Sequence, residues 1–380
     1  MNVKNTVFIF LFILLWFINP ILSSLLILIL SIIYQNKPVI VIFGLLLSIY
    51  FSFISYSIDT VGDFLNYKEN IALVVKNGLD YSVRGGEFGY YLIVLIFSYV
   101  FNNSIEITHI AMLIMANVIL FLSIANIDFR SSIFIFLLLQ FFSVLVINPY
   151  LSRQFLSIAL VFYSLSIGRG KYAIWIISIF IHFSSLIYVT ILLFSRGVLK
   201  SKRFYFIIIS LSFLLFVSMN LDILKFILTQ NILPEFIKVK ADFYLRMQSS
   251  EQKIDFVAVV FCVYTFFIKY KMLRIKCSKI EEDIINLFFI SAVLCFSFIQ
   301  LPVLPTRLGY LTYYLSPFLL ILSWRNKKIN ILNFVNVLFL IFCVFITIYK
   351  VYLNDFSEPW VLLSDGEVLT HYFLYYINRI

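Results

Sequence analysis

The sequence predicts an all-α integral membrane protein, a polytopic helical bundle of about 12 (roughly 10–13) transmembrane segments. Three observations carry this. Hydrophobic residues make up 62% of the chain and charged residues 13%, where a soluble domain has about 25% charge. The charges gather in breaks between long apolar runs. Most of those runs approach the roughly 20 residues that a helix needs to cross hydrocarbon while pairing its own backbone groups.

In chain order the predicted spans are 7–33, 39–57, 87–101, 107–126, 132–148, 153–168, 172–194, 204–221, 254–270, 284–301, 307–322 and 331–350. The first follows Lys4 and is interrupted at Asn19-Pro20, with no small-x-small cleavage site behind it. It reads as an uncleaved, kinked helix rather than a removed signal peptide. The shorter runs 87–101 and 153–168 suit broken spans that line a cavity.

The chain reads as one domain, 1–380, with extramembrane segments at 58–86, 222–253 and 351–380. Lys269, Lys271, Arg274, Lys276 and Lys279 form a basic block beside an apolar run, and Arg325, Lys327 and Lys328 a second. Such blocks mark the cytoplasmic side of a membrane chain. Counting from them puts 222–253, 351–380 and the acidic loop 58–86 outside, and Arg196, Lys200, Lys202 and Arg203 inside. The Arg169/Lys171 turn runs against that count.

A net charge of +10 would suggest nucleic acid in a soluble chain. Here the basic block fits anionic lipid better, and no nucleic-acid partner is expected. Cys262, Cys277, Cys295 and Cys343 are scattered singly, which proposes neither a disulfide framework nor a zinc site. No His/Asp/Glu set stands at ligand spacing, so no metal and no cofactor are expected.

Candidate chemistry starts in 58–86, with Asp59, Gly62-Asp63, Tyr67 and then Glu87 at the head of the next apolar run. Asp59 and Asp63 would share a face of a helix. Charge at the edge of a span is costly enough that a functional role competes with simple solvation of a loop. A second signal is Asn148-Pro149-Tyr150-Leu151-Ser152-Arg153-Gln154. Arg153 keeps its charge in almost any setting and offers a donor fork suited to phosphate oxygens, and Gln154 could add a neutral donor. The bland alternative for Arg153 is an interfacial side chain that snorkels to water.

His182, followed by Phe183-Ser184-Ser185, is either a proton acceptor or a polar residue holding helices together. His109 and His371 have no comparable surroundings in sequence. In 222–253, Lys240, Tyr244 and Arg246 suit either a glycan-diphosphate or an ordinary wetted loop. Arg307, with Tyr310 behind it in Pro305-Thr306-Arg307-Leu308-Gly309-Tyr310, is a second candidate phosphate contact.

Taken in order, Gly62-Asp63, Tyr67, Glu87, Arg153-Gln154, His182-Phe-Ser-Ser, and Arg307 with Tyr310 resemble the EpsG-like branch of the Wzy family of bacterial O-antigen, capsule and exopolysaccharide polymerases. The likeness runs over roughly 50–325. It departs from the branch in the additional Asp59, and in Tyr56 and Ser57 where a basic residue is usual.

The resemblance implies a multi-pass protein of the bacterial inner membrane whose active site opens on the periplasmic face. The implied substrate is an undecaprenyl-diphosphate-linked oligosaccharide repeat. The implied reaction moves a growing chain from its lipid diphosphate to a sugar hydroxyl of a new lipid-linked repeat. Arg153 and Arg307 would hold the leaving diphosphate, and Asp63, Glu87 and His182 are the available acceptors for the hydroxyl proton. Asp59, Tyr67, Gln154, Lys240, Tyr244, Arg246 and Tyr310 would contact substrate. Implied partners are membrane lipids, a chain-length regulator and a flippase.

Rival readings are a polyprenyl-phosphate-dependent sugar transferase of the GT-C type, an O-antigen ligase, and a lipid-linked oligosaccharide flippase. The first suits the early acidic residues. The flippase would need ionisable groups along a path through the membrane, whereas most of these fall at predicted helix ends.

Overall fold

The computed structural model describes residues 37–57, 63–78, 88–140, 151–167, 170–198, 201–218, 256–273, 275, 277–300, 304–325 and 330–348, with isolated residues before 37. Every regular element among them is helical. They form α1 (Lys37–Ser57), α2 (Asp63–Asn77), α3 (Phe88–Val100), α4 (Ile105–Ile127), α5 (Ser132–Leu139), α6 (Ser152–Ile167), α7 (Lys171–Ile181) and α8 (Ser184–Val198). Then come α9 (Lys202–Ser218), α10 (Phe256–Met272), α11 (Lys279–Ser297), α12 (Leu304–Leu308), α13 (Tyr310–Tyr314), a 3₁₀ turn at Ser316–Phe318, α14 (Leu319–Arg325) and α15 (Asn330–Ile348). They divide into two compact units, Met1–Ile187 with Leu340–Ile380, and Tyr188–Phe339.

The all-α expectation holds, but the bundle of about 12 spans does not. Among the described residues, two helices are long and apolar enough to cross a membrane, Lys37–Tyr56 and Ile105–Ile127. Other apolar runs fold as shorter pieces, including Phe88–Val100, Ser152–Ile167, Lys171–Ile181 and Ser184–Leu193. At 1.5 Å per residue, a helix the length of Phe88–Val100 rises about 20 Å, well short of the roughly 30 Å of a hydrocarbon core. The run 172–194 is cut at His182, whose backbone is extended (φ −152°, ψ 125°). The run 307–322 is cut by Gly309 and by the turn around Pro317 into three short helices. With two candidate spans, the multi-pass placement in an inner membrane is corrected as well. Most of 7–33, and the second half of 132–148, lie outside the described residues.

In the first unit α4 is the central element, packed by α1, α2, α3, α5 and α6. Its start is specified locally. Asn102 and Asn103 take left-handed φ values of 52° and 61°, a conformation that asparagine tolerates better than most residues. Ser104 then caps the helix by accepting from the Ile107 N–H at 3.3 Å. The α1–α4 contact depends on Gly44, where an added Cβ would lie 1.9 Å from the Phe121 ring. Small residues of this kind let helix backbones approach closely. Alongside, Asn117 Nδ2 donates to Ser52 Oγ and Gln140 Nε2 to Asn117 Oδ1, both at 2.8 Å, a polar string through otherwise apolar packing.

α2 lies in what reads as a loop, yet it is a helix with Tyr67, Ile71 and Val74 buried on one side. α6 packs on α7, where Trp175 Nε1 donates to Ser164 Oγ at 2.6 Å. α7 also packs on α3.

In the second unit, α10 and α11 run antiparallel. Cys262 lies opposite Ala292 and Lys269 opposite Asn286. Ser278 and Glu281 close a reciprocal capping box at the start of α11, the arrangement that satisfies two orphan backbone donors at once. α9 joins through Tyr205, which donates to the Phe266 carbonyl at 2.6 Å, and Ser212, which meets Ser297 at 2.9 Å. Phe204, Ile207, Leu211 and Leu214 stand exposed along α9, an apolar face larger than single scattered residues would make.

Candidate substrate-binding site

Arg153 is the second residue of α6. A cation there opposes the positive end of the helix dipole, so both favour an incoming anion. Tyr67 comes from α2 and Tyr91 from α3. Arg153 Nε donates to the Tyr67 hydroxyl at 3.3 Å, and its Nη1 to the Tyr91 hydroxyl at 3.4 Å. The guanidinium carbon lies 5.1 Å from the Tyr67 ring centroid and 6.0 Å from that of Tyr91. The fork is therefore fixed by two phenols through donation and through the attraction of a cation to aromatic faces.

Tyr90 braces this arrangement. Its ring packs edge-on to Tyr91 at 5.6 Å and lies 6.3 Å from Tyr67. Its hydroxyl meets Ser152 Oγ at 3.2 Å. Burial pushes the Tyr90 phenol above its ordinary range, so it remains a hydroxyl near neutral pH. Three tyrosines from two helices thus hold one guanidinium at the head of a third. A planar donor fork held this way is suited to the oxygens of a phosphate or diphosphate, and its rigidity lowers the cost of ordering it on binding.

Of the other residues expected here, Asp63 opens α2, one helical turn before Tyr67. Gln154 is buried within the first unit. Asp59, Glu87, Lys240, Tyr244 and Arg246 lie outside the described residues; Glu87 directly precedes the first residue of α3.

His182 sits at the α7–α8 junction. Its Nδ1 accepts from the Ser184 N–H at 3.1 Å, and its carbonyl accepts from Ser185 N–H and Oγ at 3.0 and 2.8 Å. It thus ties off the start of α8, and with Nδ1 accepting, the ring's proton lies on Nε2.

Arg307 belongs to the second unit, on the one-turn helix α12. The residue after it, Leu308, offers its carbonyl to the Tyr188 hydroxyl at 3.1 Å. Gly309 follows, where an added Cβ would come within 2.2 Å of Cys295 Cβ. Tyr310 is buried against Tyr314 with ring centroids 4.9 Å apart. Close packing on both sides of Arg307 fixes the backbone that carries it.

Sequence reasoning missed Tyr90, Tyr91 and Ser152. Their signal was present: the tyrosine pair falls in the first turn of an apolar helix, where polar hydroxyls are out of place without partners. It also left His109 without company, whereas its buried ring packs edge-on to Tyr56 at 5.6 Å and Lys68 Nζ lies 4.6 Å over the same Tyr56 ring. Among the described residues no group of three His, Cys, Asp or Glu side chains is placed to hold a metal ion.

The described residues thus form an all-helical protein with exposed apolar faces and one guanidinium held by tyrosines in its first unit. Comparison with known families places it further. The EpsG family model matches residues 53–362, and the chain belongs to that family. Membership is consistent with membrane association and with a role in polysaccharide polymer assembly. No curated protein and no solved structure matches the chain.

Proposed function

We propose that the chain polymerises undecaprenyl-diphosphate-linked oligosaccharide repeats, transferring the growing chain from its lipid diphosphate to a sugar hydroxyl of a new lipid-linked repeat. The observation that carries this reading is Arg153, held by Tyr67 and Tyr91 at the start of α6. When the sugar–phosphate bond breaks, negative charge builds on the departing diphosphate. A guanidinium already oriented towards it lowers that barrier with little reorganisation. Arg307 serves the same class of ligand as a second phosphate contact.

The acceptor hydroxyl gives its proton to a carboxylate, for which Asp63 and Glu87 are the candidates; His182, with Nδ1 engaged by the Ser184 N–H and its proton on Nε2, would donate to substrate instead. Asp63 has the strongest support, since it stands one turn from Tyr67 on the helix that contacts Arg153. Asp59, Gln154, Lys240, Tyr244, Arg246 and Tyr310 are proposed substrate contacts, and a chain-length regulator and a flippase are proposed partners.

The test is to incubate the purified chain with a defined undecaprenyl-diphosphate-linked repeat and resolve the products by size. A ladder of repeats supports polymerisation. A single transfer to a different acceptor, or translocation without a new bond, would replace it with a ligase or a flippase.

A further inference from the structure

At one end of the second unit the start of α9 meets the end of α10. Tyr205 makes the joint: its hydroxyl donates to the Phe266 carbonyl, 61 positions away, and its ring stacks on Tyr270 with centroids 6.3 Å apart. Phe206 packs edge-on to Tyr270 at 6.2 Å. Lys271 Nζ stands 5.4 Å over the Phe267 ring and 5.8 Å over that of Tyr270. Lys202 and Arg203, the first two residues of α9, are exposed at the same end. The joint therefore gathers cations and aromatic rings from two helices.

These cations are not neutralised by the chain. Among the described residues Lys202, Arg203 and Lys271 make no ion pair. At the start of α11, Glu281 is taken up by the capping box and Glu282 lies beside Lys269. A cluster of one sign at an exposed position attracts an anion from outside.

The rest of α9 shows what carries that anion. Among its described side chains, Tyr205 and Ser212 are buried, and they mark the side turned to α10 and α11. On the opposite side Arg203, Ile207, Leu211 and Leu214 follow at the spacing of one helical stripe. Ile207, Leu211 and Leu214 are 52%, 55% and 60% exposed. From Phe204 to Leu215 every exposed residue is apolar except Ser210. Polarity is thus graded along the helix axis, with the cations at one end. A protein interface instead surrounds an apolar centre with a polar rim. A gradient along one axis is the profile of a lipid leaflet, with basic and aromatic side chains at headgroup depth and aliphatic ones below. Arg203 to Leu215 rises about 18 Å, close to the ~15 Å of hydrocarbon in one leaflet.

We propose that this end of the second unit binds an anionic phospholipid, with its phosphate between Lys202, Arg203 and Lys271 and its acyl chains along Ile207, Leu211 and Leu214. Attraction of the basic residues to an anionic leaflet supplies the selectivity, and covering the exposed apolar stripe supplies the rest. This site is independent of the Arg153 cage and of the polymerase reading.

The test places the full chain in phosphatidylcholine nanodiscs with and without phosphatidylglycerol and counts retained lipids by native mass spectrometry. Phosphatidylglycerol should be retained in preference to phosphatidylcholine, and high salt should weaken the preference. Lys202→Gln, Arg203→Gln and Lys271→Gln should each cut it about fivefold. Lys202 and Arg203 are exposed, where substitutions usually leave the fold intact. Depth is read separately: Leu211→Trp adds tryptophan emission that lipids brominated on their acyl chains should quench. Equal retention of the two lipids, or an unchanged preference in the Lys202→Gln/Arg203→Gln double variant, overturns the proposal. Emission from Leu211→Trp that brominated lipid leaves unquenched overturns it too, and cross-linking between copies through this face would then assign it to a second copy of the chain.

Discussion

Arg153 and Tyr67, 86 positions apart in sequence, meet twice over: Nε donates to the phenol at 3.3 Å while the guanidinium carbon stands 5.1 Å from the ring centroid. The contact joins α2 to α6 and turns a polar break and an apolar helix into one site. A guanidinium free to rotate would gain less from a diphosphate than one already fixed, because ordering a long side chain costs about 0.5–1.5 kcal/mol on binding.

Arg153→Ala should therefore lower chain growth by about 10²–10³-fold, the scale seen when a preorganised donor to developing charge is removed. Arg153→Lys should fare little better. A lysine keeps the charge but not the planar fork that reaches Tyr67 and Tyr91 together. The measurement is the repeat ladder at matched protein level. Near-normal ladders from both variants would remove Arg153 from the mechanism.

Tyr67 separates hydroxyl from ring. Tyr67→Phe loses the acceptor for Nε but keeps the aromatic face, and should cost about tenfold or less. Tyr67→Ala loses both and should approach the Arg153→Ala defect. Because the residues touch, the double variant should be no worse than Arg153→Ala alone. Fully additive losses would show that the two act separately.

Asp63→Asn should reduce turnover more than Asp59→Asn. Asp63 belongs to α2, which carries Tyr67 into the site, whereas the expectation for Asp59 rests on sequence alone. Kinetics of the two single variants under one assay decide the ranking, and the reverse order would move the acidic function to Asp59.

Much of the helix content was legible because long apolar runs can satisfy their backbone in an apolar setting only as helices. The runs 39–57 and 107–126 fold as Lys37–Ser57 and Ile105–Ile127. Composition does not report where a helix stops. His182 and Gly309 interrupt apolar runs without changing their average character, so one run that read as a span became two short helices and another became three. The opposite error occurred at α2. There the charged residues drew the reading towards a loop, although Tyr67, Ile71 and Val74 already stood at the spacing of a buried helical face. Arg153 was legible as a lone cation at a helix start. Tyr67 was legible as a site residue too, but its pairing with Arg153, and Tyr91 altogether, were not, because the partners come from two other helices.

Gly44→Ala should destabilise the first unit by about 1–3 kcal/mol, the usual cost of overpacking. The added methyl would meet the buried Phe121 ring at 1.9 Å, so α1 and α4 must separate or the ring must leave its place. Thermal unfolding of the purified chain measures the loss, and Phe121→Leu should restore part of it. An undisturbed Gly44→Ala variant would mean that this contact does not hold the pair.

Lys269 gives a pH dependence whose sign is set by burial. Its pKa is lowered from 10.5 to about 8, chiefly by burial and against the opposing pull of Glu282 and Cys277. Between those values the unfolded chain keeps a proton that the folded chain has released, so stability rises with pH across that window, and below about 8 the penalty is fully present. Cys277 works the other way: burial raises its thiol from 9.0 to about 11, so between those values the folded chain holds a proton that the unfolded chain has lost, and stability falls with pH, offsetting the lysine above about pH 9. Unfolding temperature should therefore climb between about pH 8 and 9 in wild type and level off above it, and Lys269→Met should lose the climb. An identical slope in Lys269→Met would assign the effect to other groups.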